Sequence, residues 1–366
     1  MRIVITSPHP LWPESSGMAR RTLGVASALA AAGHAVSLLV PTAPPGDSTL
    51  HRGIRVHNYP ELGVVGHFFN PLFSRALRLL LAAGTDLLIT EFPYHSPALI
   101  HSCRHFKVPL IYNSHNCEAD RSRQLRSRLV SALVARREAY LAREAKAVLA
   151  VSSADQALFR ELYGRTVLLL PNGVDGGRFT PGPADSELAA KLGLRGKRVA
   201  LFFGSMDYKP NRLAVERLLR LNWPLQVPGQ ADTELLLVGR GSVQLTPPRS
   251  GVIAAGEVGD IVPYIRLANL VLAPVEEGGG TRLKIIEALA CAQIVLSTGF
   301  GAQGLATDGI EGLHCCAWPD FEGVLYRLLS ASLPPGNNAG GAAWARTMDW
   351  NRLVADIPWE DFTASR

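Results

Sequence analysis

Pro274-Val-Glu-Glu-Gly-Gly-Gly-Thr-Arg-Leu-Lys-Ile-Ile-Glu-Ala-Leu-Ala290 is the stretch that decides how this chain folds. It follows an apolar run at Asn269–Ala273 that reads as a buried strand, and it passes through three glycines into apolar residues at helical spacing. A strand that turns through glycines into a helix is the repeating unit of a parallel sheet covered by helices. Glycines let the backbone approach a ligand closely, and the free N–H groups of the first helical turn point back at it. The result is an anion site, best suited to a phosphate or diphosphate. Gly279, Gly280 and Thr281 form its cradle. Arg282 and Lys284 put positive charge in a first turn whose dipole favours acids, so a negative ligand is expected to offset them. Glu287 follows Thr281 by about one and a half turns, and an ionised carboxylate there suits the vicinal hydroxyls of a ribose. The plainer alternatives are a glycine-rich turn with solvated charges, and an ion pair between Glu287 and Lys284 on a solvated face.

Phe203-Gly-Ser-Met-Asp-Tyr-Lys-Pro-Asn211 repeats the pattern of strand, glycine turn and helix. Lys209 in it is a compact point charge suited to a leaving diphosphate, the alternative being an exposed turn lysine. Only six of the 37 basic residues are lysine, and two of the six fall in these two loops.

Further outward, the first half alternates strand-like runs at Arg2–Thr6, Ala35–Val40, Asp86–Thr90, Pro109–Ser114, Ala147–Val151 and Thr166–Leu170 with helical stretches at Met18–Ala32, Ala119–Arg143 and beyond Ser152. A segment rich in Gly, Pro and Asp, Pro171–Gly196, marks a domain boundary. Beyond it come strands at Arg198–Phe203, Glu234–Val238, Gly251–Ala255, Asn269–Ala273, Ile294–Ser297 and Gly312–Cys316, with helices at Arg212–Arg220, Asp260–Leu267, Arg282–Ala292 and Phe321–Ser330. The expected architecture is two doubly wound α/β domains, 1–175 and 190–345, with 346–366 as a terminal segment. Ligands are expected in the cleft that the two domains face, outside the carboxyl ends of the strands.

Composition narrows the function. With 366 residues, 47% of them hydrophobic, the chain has material for two cores and is not a disordered polyelectrolyte. No run of about 18 apolar residues suggests a spanning helix, and Met1–Pro10 lacks the features of a secretory signal, so a cytoplasmic protein is expected. Five cysteines without C-x-x-C spacing suggest neither a disulfide framework nor a zinc site. The net charge of +6 is uneven: residues 1–180 carry twenty Lys and Arg against twelve Asp and Glu, the remainder seventeen against nineteen. No nucleic-acid-binding module accompanies that charge, so nucleic acid is not an expected partner.

Taken together these segments resemble the large family 4 of retaining glycosyltransferases with the GT-B fold, over nearly the whole chain. The motifs are the Arg2–Thr6 strand with Trp12-Pro-Glu-Ser-Ser-Gly17, Gly33-His-Ala-Val36, Val151-Ser-Ser153, Pro171-Asn-Gly-Val-Asp175 with Phe179, Gly204–Asn211, Val238-Gly239 and Gly280-Thr-Arg-Leu-Lys-Ile-Ile-Glu-Ala288. The resemblance implies that Gly17 borders the donor phosphates, Lys209 neutralises the diphosphate, Glu287 binds the ribose, and Val258 lies near the base. It implies that His115, in Asn113-Ser-His-Asn-Cys-Glu118, meets the transferred sugar; read from residues alone, His115 is equally a hydrogen-bonded histidine at a strand end. It also implies that Trp350–Ile357 is a helix crossing back to the first domain. Three departures stand out. The family's first glutamate is replaced by Gly279, leaving Glu277, two residues out of register, as the candidate for its sugar contact. Met18 stands where a second glycine is frequent. Ser205 stands where an arginine is frequent, and Arg282 and Lys284 are expected to supply the charge it lacks.

The implied reaction is transfer of a sugar from a nucleotide diphosphate sugar to a hydroxyl acceptor, with retention and without metal or other cofactor. No Asp-x-Asp stretch is present, and cations with a helix end take the metal's place. The basic segment Glu118–Lys146 and the apolar segment Leu62–Leu81, with Phe68, Phe69, Leu72 and Phe73, suggest peripheral contact with an anionic membrane and a lipid-linked or polysaccharide-precursor acceptor. A solvated helix face beside ordinary core is the alternative. The rival functions are a nucleotide-sugar epimerase of the same fold and a non-catalytic nucleotide-binding protein.

Overall fold

A computed structural model describes residues 1–363 except 13, 15, 43–49, 126, 247–248, 278–282, 306–308 and 332–333. The apolar runs of the first half become β1 (Arg2–Thr6), β2 (Ala35–Val40), β3 (Leu50–His51), β4 (Ile54–Asn58), β5 (Leu87–Thr90), β6 (Leu110–Asn113), β7 (Ala147–Ala150) and β8 (Leu168–Leu169). They form one sheet in the order β3-β4-β2-β1-β5-β6-β7-β8, parallel throughout except for the β3–β4 hairpin. That hairpin has no counterpart among the expected strands. Leu50, Ile54 and Val56 alternate with polar residues and make no apolar run, and the turn rests on Arg52 and Gly53 with φ of 48° and 80°.

The second half supplies β9 (Arg198–Phe203), β10 (Thr233–Val238), β11 (Val252–Gly256), β12 (Leu270–Ala273), β13 (Val295–Thr298) and β14 (Leu313–Cys316), an all-parallel sheet in the order β11-β10-β9-β12-β13-β14. Strand order reverses at β1 in one sheet and at β9 in the other. Those two carboxyl ends are the topological switch points where doubly wound sheets bind ligands.

The chain divides into two compact units, Met1–Asn172 with Trp350–Arg366, and Gly173–Asp349. In the first, Val4, Leu88, Leu110 and Tyr112 on one face of the sheet pack on Phe73, Leu77, Leu81, Leu141 and Phe159 from the covering helices. In the second, successive residues of β9 serve opposite faces: Leu201 and Phe203 meet Ile285 and Ile286, while Phe202 meets Val215, Leu218 and Phe321.

Two expectations are corrected. The single helix expected over Ala119–Arg143 is two, Glu118–Leu125 and Arg128–Glu144. The second folds back on the first, with the Ser131 hydroxyl donating to the Ser122 carbonyl at 2.8 Å, and the buried Glu138 carboxylate accepts the Glu118 and Ala119 N–H groups that open the first. The apolar segment Leu62–Leu81 is only partly exposed. Phe73 is core, and Phe68 packs on the cluster of Phe92, Tyr94 and Val134, whereas Phe69 is 71% exposed.

Candidate active-site edges of the two units

In the second unit the chain leaves β9 through Gly204 and Ser205 before the helix Lys209–Leu218 begins. The Gly204 N–H donates to the Val238 carbonyl at 2.9 Å, and the Met206 N–H to the Arg240 carbonyl at 2.8 Å. These bonds lay the turn after β9 flat against the turn after β10. Gly239 is what permits it: with φ of +134°, a Cβ there would stand 2.1 Å from the Gly204 carbonyl oxygen. Ser205 contributes its own turn, its hydroxyl accepting from the Asp207 N–H at 3.3 Å and its carbonyl from the Asn211 amide at 2.9 Å.

Asn211 also joins this turn to the neighbouring helix. Its Oδ1 accepts from Lys284 Nζ at 2.9 Å, and the same ammonium lies 4.3 Å from the centre of the Phe202 ring. Lys284 is the second residue of the helix Leu283–Ala290, so its charge is held beside the turn at the switch point. Lys209 carries the other ammonium, 3.0 Å from the Glu277 carboxylate, in a pair open to water. Glu276 pairs instead with Arg217. Glu287 is buried among Ile285, Ile286 and Leu289, not on a solvated face. Val258 is partly buried against the same core. Gly279, Gly280, Thr281 and Arg282 lie outside the described residues.

In the first unit Gly17 opens the helix Gly17–Ala31, whose N-cap Ser16 accepts the Ala19 N–H. At the ends of β5 and β6 stand Glu91 and His115, both buried, with His115 Nε2 and Glu91 Oε2 2.5 Å apart. The imidazole stacks on Phe92 with 4.8 Å between ring centres. Asn113 Nδ2 donates to both Glu91 oxygens, at 3.1 and 3.2 Å, and the Thr22 hydroxyl donates to Oε2 at 3.2 Å. Asn113 Oδ1 in turn accepts from Arg21 Nη2 at 2.7 Å. Arg21 is wholly buried and donates as well to Asn172 Oδ1 at 3.0 Å and to the Leu170 and Pro171 carbonyls at 2.9 and 3.2 Å. Burial lowers its pKa to about 10, against the raising influence of Glu91, so it stays charged at neutral pH. Burial lowers the pKa of His115, opposed by the hydrogen bond and charge of Glu91.

Two family models match the chain: Glycosyltransferase Family 4 over residues 15–178 and Glycosyl transferases group 1 over residues 197–330. The chain belongs to this family of glycosyltransferases and has the GT-B fold. A phosphatidyl-myo-inositol mannosyltransferase from Mycolicibacterium smegmatis is 26% identical, over 98% of this chain and 92% of that protein. Among solved structures, a sucrose-phosphate synthase from Thermosynechococcus elongatus superposes with a TM-score of 0.78 at 18% identity, covering 100% of both chains. Anabaena HepE, solved in complex with UDP and glucose, does so with a TM-score of 0.75 at 18% identity and the same coverage.

For a glycosyltransferase read from sequence, Arg21, Glu91, Asn113 and Asn211 were the residues missed. Asn211 sits inside the quoted Gly204–Asn211 run, and a polar residue closing a glycine turn at a helix start was its signal. Glu91 and Asn113 are polar residues at the carboxyl ends of wholly buried strands, where a buried polar group needs a partner. Nothing local distinguishes Arg21 from the adjacent Arg20; only the fold brings it to Asn113.

Proposed function

We propose that this glycosyltransferase moves a sugar from a nucleotide diphosphate sugar to a hydroxyl acceptor, with retention and without a metal. The observation that supports it best is the pair of ammonium groups at the switch point of the second unit, Lys284 fixed by Asn211 and the Phe202 ring, and Lys209 on the facing helix start. Cations at that edge stabilise the charge that grows on a departing diphosphate, the work a metal does elsewhere. Glu287, buried on the same helix, takes the ribose hydroxyls, and Gly17, Ser205 and Val258 complete the donor contacts together with Gly279, Gly280, Thr281 and Arg282. His115 of the first unit meets the transferred sugar, and Glu277 supplies the contact of the acid that Gly279 replaces. The leaving phosphate oxygen takes the acceptor proton on the face it vacates, so no side chain acts as a strong base. Anabaena HepE was solved with UDP and glucose bound, which favours a nucleotide-sugar donor here too.

Each charge-assisted contact is worth about 1.5–3 kcal/mol, so Lys209→Ala and Lys284→Ala should each lower kcat/KM by about 10- to 100-fold. A panel of UDP-, GDP- and ADP-sugars, assayed for turnover with each variant, tests this. Near-normal turnover in both variants overturns the assignment.

The acceptor side is read as a membrane-facing surface. The exposed face of the helix Arg128–Glu144 presents Arg128 and Arg136 with Leu129, 85% exposed, and Phe69 is exposed on the segment that packs on this helix. Cations beside protruding apolar side chains suit an anionic bilayer and a lipid-linked acceptor. No helix among the described residues is long and apolar enough to cross a membrane, and the contact read here is a peripheral one. Vesicles containing phosphatidylglycerol should sediment the protein at low salt and release it at high salt, and Leu129→Ser with Phe69→Ser should weaken this. Absence of salt-sensitive sedimentation removes the membrane from the reading.

A further inference from the structure

The buried chain from Arg21 to His115 has a direction, and the direction determines which imidazole nitrogen carries the proton. Arg21 has only donors. It is held by three further acceptors, Asn172 Oδ1 and the Leu170 and Pro171 carbonyls, so its fourth partner, Asn113, must turn its carbonyl oxygen toward it. The Asn113 amide then faces Glu91 with its NH2, and the Thr22 hydroxyl adds another donor there. Donors meet both Glu91 oxygens, and the buried Arg21 guanidinium across Asn113 supplies the countercharge that a carboxylate there requires. The last partner of Glu91 is His115 Nε2, and facing a carboxylate it must carry hydrogen.

We propose that Arg21 is a positioning residue for the sugar-transfer reaction: through Asn113 and Glu91 it holds His115 as the neutral imidazole with hydrogen on Nε2, leaving Nδ1 as an acceptor for a hydroxyl of the bound sugar. This rests on the reading of His115 as the group that meets the transferred sugar. The charges facing the imidazole are those of Glu91, Arg21 and Glu118, and Glu118 is itself occupied by the Tyr94 hydroxyl at 2.8 Å and by Arg121 at 3.1 Å. Arg21 and Glu91 therefore cancel across Asn113, and a proton added to the imidazole would leave an uncompensated buried charge. Without Arg21 the balance inverts. The Glu91–His115 pair then regains neutrality by taking up a proton, the imidazole becomes an imidazolium, and Nδ1 turns from acceptor into donor.

The test is nitrogen NMR of the full-length protein labelled with 15N-histidine, with His115→Asn identifying the resonances of His115. The wild type should show a protonated Nε2 and an unprotonated Nδ1 without titration between pH 6 and 8. Arg21→Met should show both nitrogens protonated at pH 7, with turnover lowered about 10- to 100-fold and nucleotide diphosphate affinity unchanged. Arg21→Lys, which keeps the charge, should retain the neutral form. An Nδ1–H tautomer or an imidazolium in the wild type overturns the inference, and this measurement needs no variant of Arg21. A neutral His115 in Arg21→Met overturns it as well. An imidazolium in Arg21→Met with unchanged turnover leaves the proton assignment standing and removes His115 from the reaction, which identifies the underlying reading as the one that failed.

Discussion

At the scale of single residues, the switch-point edge of the second unit depends on a backbone contact that no side chain can replace. Gly239 lets the turn after β10 lie on Gly204, and an added Cβ would meet the Gly204 carbonyl at 2.1 Å in a left-handed conformation. The obstructing atom is backbone, so the turn and not a rotamer has to move. Gly239→Ala should therefore destabilise the protein by about 1–3 kcal/mol, read as a lower urea midpoint with unchanged slope, and it should weaken nucleotide diphosphate binding because Gly204 and Ser205 shift with it. Unchanged binding would separate this turn from the donor site. Lys209 and Lys284 could be singled out from the sequence because lysine is scarce and each follows a glycine turn after a strand, and the structure sets Lys284 against Asn211 beside the turn after β9. Arg21 could not, because its role depends on partners about ninety and one hundred and fifty positions away, and sequence spacing carries no trace of such a meeting.

The elements divide in the same way. Strands were legible because a parallel strand covered on both faces is an unbroken apolar run, and Arg198–Phe203 is buried at all six positions. The hairpin of β3 and β4 was not, being an edge with alternating polarity. The break between the helices Glu118–Leu125 and Arg128–Glu144 was hidden as well, since its cause is the tertiary partner Glu138. That carboxylate accepts from the Tyr112 and Tyr163 hydroxyls at 2.8 and 2.9 Å and from the Glu118 and Ala119 N–H groups at 2.9 and 2.7 Å. Burial nevertheless outweighs these donors and raises its pKa from 4.5 to about 7. The native state thus holds a proton that the unfolded chain releases between those two values, so stability falls as pH rises from about 4.5 to 7 and levels off above. At 1.36 kcal/mol for each tenfold change, the loss approaches about 3 kcal/mol. Glu138→Gln has no proton to lose, so its deficit relative to the wild type should be smaller at pH 8 than at pH 5 in urea unfolding followed at both values. An equal deficit at the two pH values would mean that Glu138 is ionised throughout.

For the whole molecule, the two places where the chain passes between units share one support. The passages lie at Asn172–Gly173 and Asp349–Trp350. In the second unit they are tied to each other, the Val174 N–H donating to the Met348 carbonyl and the Gly176 N–H to the Asp349 carboxylate, each at 2.9 Å. In the first unit both rest on the helix Gly17–Ala31: Arg21 holds the Leu170 and Pro171 carbonyls, and Gly24, on the same face one turn later, lies beneath the Trp350 indole. The helix that begins at Gly17 therefore anchors both passages, and the returning segment depends on the absence of a side chain at position 24. A Cβ there would stand 2.4 Å from the indole nitrogen, and an indole is rigid, so Gly24→Ala should lift Trp350 and loosen the helix Trp350–Ala355. Amide exchange should then accelerate in peptides spanning 350–363 while β9 and β12 of the second unit keep their protection, and turnover should fall although nucleotide binding persists. Exchange that accelerates equally in both units would indicate global destabilisation, and exchange unchanged at 350–363 would show that the returning segment is held by something other than Gly24.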